Sequence, residues 1–241
     1  MNIVERHRLN KTHICFSSID ELSWKSKNIY NSVMFIYRAI FFENRKLYAE
    51  GKDTIKYPSW IDVCNKFVKD KNVDYYAMGN TKVSQNIIKT SSQTFFNFLK
   101  AKNAYFKNAN GFTGCARIPR YKDKLNGRYK ITFNPQTISK KSLKNGYLKL
   151  SGIAQEFKLQ NKHNGRIVQV DIVGKNGCYD LLVTYDIVQI KQPKPNDDGE
   201  FNFSGIDLGL NNLMAIATTN GVGRLVDGRP LKSIDQFYNK E

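Results

Sequence analysis

The hydrophobic period of this chain changes once, near Gly111, from a helical repeat to a strand alternation. That switch dictates a mixed α+β architecture whose helices and strands are largely segregated along the sequence. Before it, Leu22, Ile29, Val33, Ile36, Tyr37, Ile40 and Phe41 recur at helical intervals, which predicts one long helix from about residue 18 to residue 48. Ser18 and Glu21 have capping-box spacing at its start, and Gly51 ends it. Pro58-Ser59 opens a shorter helix with Trp60, Ile61, Cys64, Phe67 and Val68 as its buried stripe. A third helix starts near Thr81, after Gly79-Asn80. Its core face is Val83, Ile87, Ile88, Phe95, Phe98, Leu99, Tyr105 and Phe106.

After Gly111, the stretches 129–133, 147–150, 167–173 and 179–187 alternate apolar with polar residues, as half-buried strands do. Asn-Gly pairs at 126–127, 145–146, 164–165 and 176–177 mark the turns. Short strands at this spacing predict a small, OB-like β-barrel. A basic strand within residues 1–16 is expected to join it, which makes the helical unit an insertion. The predicted domains are therefore a barrel from 1–17 and 109–190, a helical insert over 18–108, a Pro- and Asp-containing linker over 191–200, and a last unit over 201–241.

Charge narrows the partners. The net charge is +17, and all of the surplus lies in residues 1–200, because residues 201–241 hold four basic and four acidic side chains. A surplus of this size favours a polyanion, most simply nucleic acid. Its densest part runs from Cys115 to Lys149, where Arg117, Arg120, Lys122, Lys124, Arg128, Lys130, Lys140 and Lys141 face one acid, Asp123. Tyr121, Tyr129 and Phe133 are interleaved with them. Cations for phosphates beside rings that stack on bases suit RNA or single strands. Phe133 is expected to point inward, and the two tyrosines are left open. Cys15, Cys64, Cys115 and Cys178 are too far apart for a zinc knuckle and read as reduced, mostly buried thiols. With no apolar run long enough to span a bilayer, the expectation is a soluble, cytoplasmic protein with no membrane partner.

The last unit carries the sharpest single residue. Ser204-Gly205-Ile206-Asp207 is an apolar strand ending in an acid, with Gly209 and a second apolar run, Leu213 to Ala217, close behind. A ribonuclease H-like fold presents its first metal-binding carboxylate in this way. Two-metal nuclease chemistry needs several carboxylates around the ions, and one acid cannot hold them. Asp227, in Asp-Gly, reads as a turn residue, and Asp235 as a solvated helix residue.

Gly205-Ile206-Asp207-Leu208-Gly209-Leu210-Asn211-Asn212-Leu213, followed by the run from Gly228 to Lys240, resembles the first RuvC segment of the TnpB (OrfB) proteins. These are transposon-encoded RNA-guided nucleases related to the type V CRISPR effectors. The helix from Gln85 to Lys107 and the stretch from Arg117 to Lys122 also resemble family blocks. The resemblance implies a wedge barrel, an inserted recognition domain and then RuvC. It also implies a guide RNA from the encoding element, a double-stranded DNA target and sequence reading by base pairing. Asp207 matches the family's first catalytic and metal-binding acid. The family's later acids and its four-cysteine zinc module would lie beyond residue 241. The expectation is thus an RNA-guided DNA-binding protein, possible repressor included, with an incomplete RuvC site that does not cleave alone. It would use Mg2+ only if the site is completed and would have no zinc site in this chain. A second chain or copy is expected to cover the open RuvC edge. The alternatives are an endonuclease completed by a C-terminal half and a general RNA-binding barrel protein.

Overall fold

The first strand, β1 (Asn2–Leu9), finds its partner some 170 residues later. The computed structural model describes residues 2–159, 165–175, 177–186, 203–209 and 212–238. In it β1 pairs antiparallel with β6 (Cys178–Asp186) along its whole length, from Asn2 opposite Asp186 to Leu9 opposite Tyr179. β6 forms a hairpin with β5 (Arg166–Lys175), and β2 (Ile131–Phe133) adds to the other side of β5. The order is β1-β6-β5-β2, so the helices between β1 and β2 are an insertion into the chain path of one sheet. The fold is α+β, with six α-helices and antiparallel sheets among the described residues.

The sheet does not close into the expected barrel: among the described residues no ladder joins β1 to β2. β2 has only three residues, and Asn134-Pro135 diverts the chain into a 3₁₀ turn immediately after it. The next two strands, β3 (Tyr147–Lys149) and β4 (Glu156–Lys158), form a separate two-stranded sheet. A five-residue helix, α5 (Lys140–Lys144), precedes them; neither it nor β4 was legible in the alternation pattern.

One face of the four-stranded sheet makes the core. Ile131, Phe133, Val170, Ile172, Leu181 and Val183 alternate onto it and are fully buried, as the period-two pattern requires. The long helices α1 (Phe16–Ala49) and α4 (Thr81–Lys107) pack together, with Tyr37 stacked on Phe95 at 4.9 Å and its hydroxyl donating to Ser92 Oγ at 3.0 Å. Between them lie α2 (Trp60–Lys69) and the short, unanticipated α3 (Val73–Tyr76).

Three helix expectations are corrected. α1 begins at Phe16 with Cys15 as N-cap, so Ser18 lies inside the helix and makes no capping box. The turn before it is already closed by Phe16 N–H donating to the His13 carbonyl, and the Phe16 ring packs on Tyr179. α2 buries Val63, Cys64 and Phe67, leaving Ile61 and Val68 exposed. Phe106, assigned to the core, is 70% exposed in the last turn of α4.

Gly79 and Gly152 join the helical part to the β3–β4 part. Both have positive φ, and a Cβ on Gly79 would stand 2.5 Å from Gly152 Cα. Only glycine supplies this backbone conformation and this closeness together.

Residues Met1–Val188 and Gln189–Glu241 separate into two compact units. In the second, β7 (Ser204–Asp207), β8 (Asn212–Thr218) and β9 (Gly223–Asp227) form an antiparallel meander followed by α6 (Arg229–Tyr238). The expected linker, 191–200, lies outside the described residues.

Candidate nucleic-acid interface

Most of the predicted basic patch is an extended strap without regular secondary structure, and its order comes from α1. Residues 119–130 run antiparallel along one face of that helix, whose side chains take up the strap's backbone polar groups. Arg38 Nη1 donates to the Pro119 carbonyl at 2.7 Å and Tyr30 Oη to the Arg120 carbonyl at 3.1 Å. Asn31 bonds both polar groups of Lys122, accepting from its N–H at 2.8 Å and donating to its carbonyl at 3.0 Å. Lys27 Nζ donates to the Lys124 carbonyl at 2.6 Å, and Ser26 Oγ to the Lys130 carbonyl at 3.0 Å. The positions 26, 27, 30, 31 and 38 share one helical face.

This arrangement satisfies the strap's main chain and leaves its side chains out. Arg117, Arg120, Lys122 and Lys124 are exposed. Asp123, the one acid, is spent locally: its Oδ1 accepts from the N–H groups of Asn126 (2.6 Å) and Leu125 (3.0 Å), which hold its carboxyl below the usual range. Of the two open rings, Tyr129 stacks on Tyr30 at 4.4 Å. Burial, and then the neighbouring Tyr129, push the Tyr30 hydroxyl up to about 12. Tyr121 remains exposed, with the Arg38 guanidinium 4.9 Å from its ring centre.

The strap ends at a cleft of about 790 Å³ between the start of α1 and the β5–β6 hairpin. Among the described residues five cations line it, Lys11, Lys122, Arg128, Lys130 and Lys175, with Asp20 as the only acid. Asp20 is itself neutralised. Arg128 Nε and Nη2 donate to its two oxygens at 2.8 and 2.7 Å, and Tyr179 Oη donates at 2.6 Å. The Arg128 hydrogen bonds hold the Asp20 carboxyl below the ordinary range despite its partial burial. Arg128, predicted as a nucleic-acid contact, is therefore the staple that fixes the C-terminal end of the strap. The other cations that line the cleft are Lys11, Lys122, Lys130 and Lys175.

Lys140 and Lys141 do not join this surface. They are exposed on α5, where Lys140 lines a different groove of about 470 Å³ with Ile138, Leu143 and Arg166. Sequence reading missed Lys11 and Lys175, and it missed the α1 residues that hold the strap. Helical spacing of polar residues opposite the core stripe was the available signal for the latter.

Asp207 ends β7, opposite Ala215 on β8, and is exposed. Asp227 ends β9 at the same end of the meander, with β8 between, so two strand spacings, about 10 Å, separate the two chains. Asp227 Oδ1 accepts from Arg229 N–H at 2.9 Å, closing the turn that leads into α6. Among the described residues no three His, Cys, Asp or Glu side chains gather to hold a metal ion. Cys15 and Cys64 are buried, whereas Cys115 is exposed and Cys178 half-buried, which corrects the expectation of mostly buried thiols. No helix among the described residues is long and apolar enough to cross a membrane. No protein-family model matches the chain, and no curated protein matches it either.

Proposed function

We propose that the protein binds RNA along the 117–130 strap and its cleft and is a TnpB-like RNA-guided DNA-binding protein. The observation that carries this reading is the division of labour in the strap: its backbone is bonded to α1 while its cationic side chains face solvent. Such a surface offers phosphate contacts without reading bases, which suits a protein that leaves sequence recognition to base pairing. The open four-stranded sheet takes the wedge role in this reading, and the helices inserted between β1 and β2 take the recognition role. The meander-then-helix order of the last unit, with Asp207 at the end of its first strand, supports a ribonuclease H-like start. Asp207 supplies one carboxylate. Mg2+ needs further oxygen ligands, which the described residues do not bring to it, so no cleavage step is assigned to them.

The test is to express the protein in cells with its native flanking DNA and sequence the RNA that co-purifies. One abundant RNA with a defined scaffold, ending in a segment that matches DNA elsewhere, is the expected result. A broad mixture of cellular RNAs would reduce the reading to general RNA binding, and absence of RNA would overturn it.

A further inference from the structure

The outer face of the four-stranded sheet carries a second cationic cluster, built around a buried acid. Arg8 stands directly opposite Asp180 in the β1–β6 ladder, Arg6 lies two residues along the same face, and Val173 opposes Asp180 from β5. Lys175 is two residues beyond Val173, so all three cations converge on one carboxylate. Arg6 Nη2 reaches Asp180 Oδ2 at 2.7 Å, Lys175 Nζ reaches the same oxygen at 3.2 Å, and Arg8 Nε reaches Oδ1 at 3.4 Å. The Asp180 side chain is 1% exposed, whereas those of Arg6, Arg8 and Lys175 are 45–56% exposed. The other acids on this face are Asp171, whose carboxylate accepts from Thr132 and Gln169, and Asp186 at the far end of the ladder.

One arginine is enough to neutralise Asp180. Three cations leave an excess of two positive charges, held close together in fixed directions and half open to water. Burial pushes the Asp180 carboxyl up, but the hydrogen bonds from Arg6, Lys175 and Arg8 outweigh this and keep it below the usual range. The acid therefore stays charged at neutral pH and orients its neighbours. Guanidinium groups fixed in this way accept a phosphate with little further loss of side-chain freedom.

We propose that Arg6, Arg8 and Lys175, gathered by Asp180, form a phosphate-contact site for the RNA backbone on the outer sheet face. The site is continuous with the cleft through Lys175, which lines both. It rests on the RNA-binding reading above and extends the interface from the strap to β1 and the β5–β6 hairpin. Asp180 acts as a positioning residue.

The experiment titrates a labelled RNA hairpin with single-stranded flanks across a series of NaCl concentrations. The proteins are the wild type, Asp180→Asn, Arg8→Gln and a strap variant reversing Arg117, Arg120, Lys122 and Lys124 to Glu, each with a thermal melt. Asp180→Asn raises the net charge by one, so nonspecific attraction alone would tighten binding. Positioning predicts the opposite, a loss of about tenfold in affinity. Arg8→Gln keeps Asp180 paired with two cations, and so keeps the fold; it is expected to lower the log–log salt slope by roughly 0.7. Arg8→Gln carries the test if Asp180→Asn does not fold. If the wild type binds and the strap variant does not, while Asp180→Asn binds as well as or better than wild type and Arg8→Gln keeps the full slope, this site falls and the strap reading stands. If the wild type itself does not bind, both fall.

Discussion

Lys27 shows how a charged residue can serve structure inside a basic surface. Its side chain is 1% exposed, with Nζ on the Lys124 carbonyl and 4.6 Å from the centre of the Trp24 ring. Burial lowers its pKa, and nearby Arg128 acts in the same direction. Lys27→Met keeps the packing volume of the stem but leaves the Lys124 carbonyl without its donor. A loss of about 1–3 kcal/mol is expected, with faster amide hydrogen exchange over residues 119–130 than elsewhere. Asp20 gives a pH test. Its pKa is lowered in the folded state, so its contribution is present above the ordinary aspartate value of ~3.9 and is lost as pH falls from there toward the lower folded value. Asp20→Asn should therefore be less stable than wild type at neutral pH, and denaturant unfolding should show the difference shrinking near pH 3. A difference that stays constant with pH would contradict the pairing with Arg128. Neither residue was legible in the sequence. A lysine and an aspartate on a helix read as solvent-facing charges until the strap that they hold is known.

At the scale of elements, legibility followed hydrophobic period and failed where tertiary contact replaced it. Asn80 before α4 and Ser59 before α2 cap the helices that the pattern predicted. Ser59 and Asp62 complete a reciprocal capping box, so Ser59→Ala should lower stability by about 1 kcal/mol in thermal unfolding. Ser18 and Glu21 have the same spacing, yet α1 starts before them because Phe16 packs on Tyr179 and His13 closes the preceding turn. The strap has no period at all. Its fixed path rests on five side chains of α1 bonded to its main chain, which no local reading of residues 117–130 reveals. Gly79 and Gly152 read only as helix and turn punctuation in the sequence. Their backbones meet, however, and either one changed to Ala should destabilise by more than about 1 kcal/mol. A Gly79→Ala protein that melted like wild type would mean that this junction is looser than described.

Over the whole molecule, the sequence located the charge correctly but not its organisation. A surplus of 17 cations in the first 200 residues says that a polyanion is favoured. The fold sorts those cations into different tasks. Arg128 and Lys27 hold the strap, Lys140 and Lys141 sit apart on α5, and Lys11 and Lys175 join the cleft from outside the predicted basic patch. The predicted alternation gave the right strands for the four-stranded sheet, including β1 as a member. That sheet stays open among the described residues, and β2 is shorter than the predicted 129–133 stretch. Binding strength and fold stability should accordingly be separable in the strap. The most direct measurement is salt-dependent RNA binding, with a thermal melt, of wild type and of the variant carrying Arg117, Arg120, Lys122 and Lys124 reversed to Glu. The account predicts a melting temperature close to wild type, because these side chains make none of the hydrogen bonds to α1 and only the Lys122 ammonium, 5.8 Å from the centre of the Tyr30 ring, touches that helix. It also predicts RNA affinity lower by about tenfold or more and a shallower salt slope. Unchanged affinity, or loss of the fold together with binding, would contradict it.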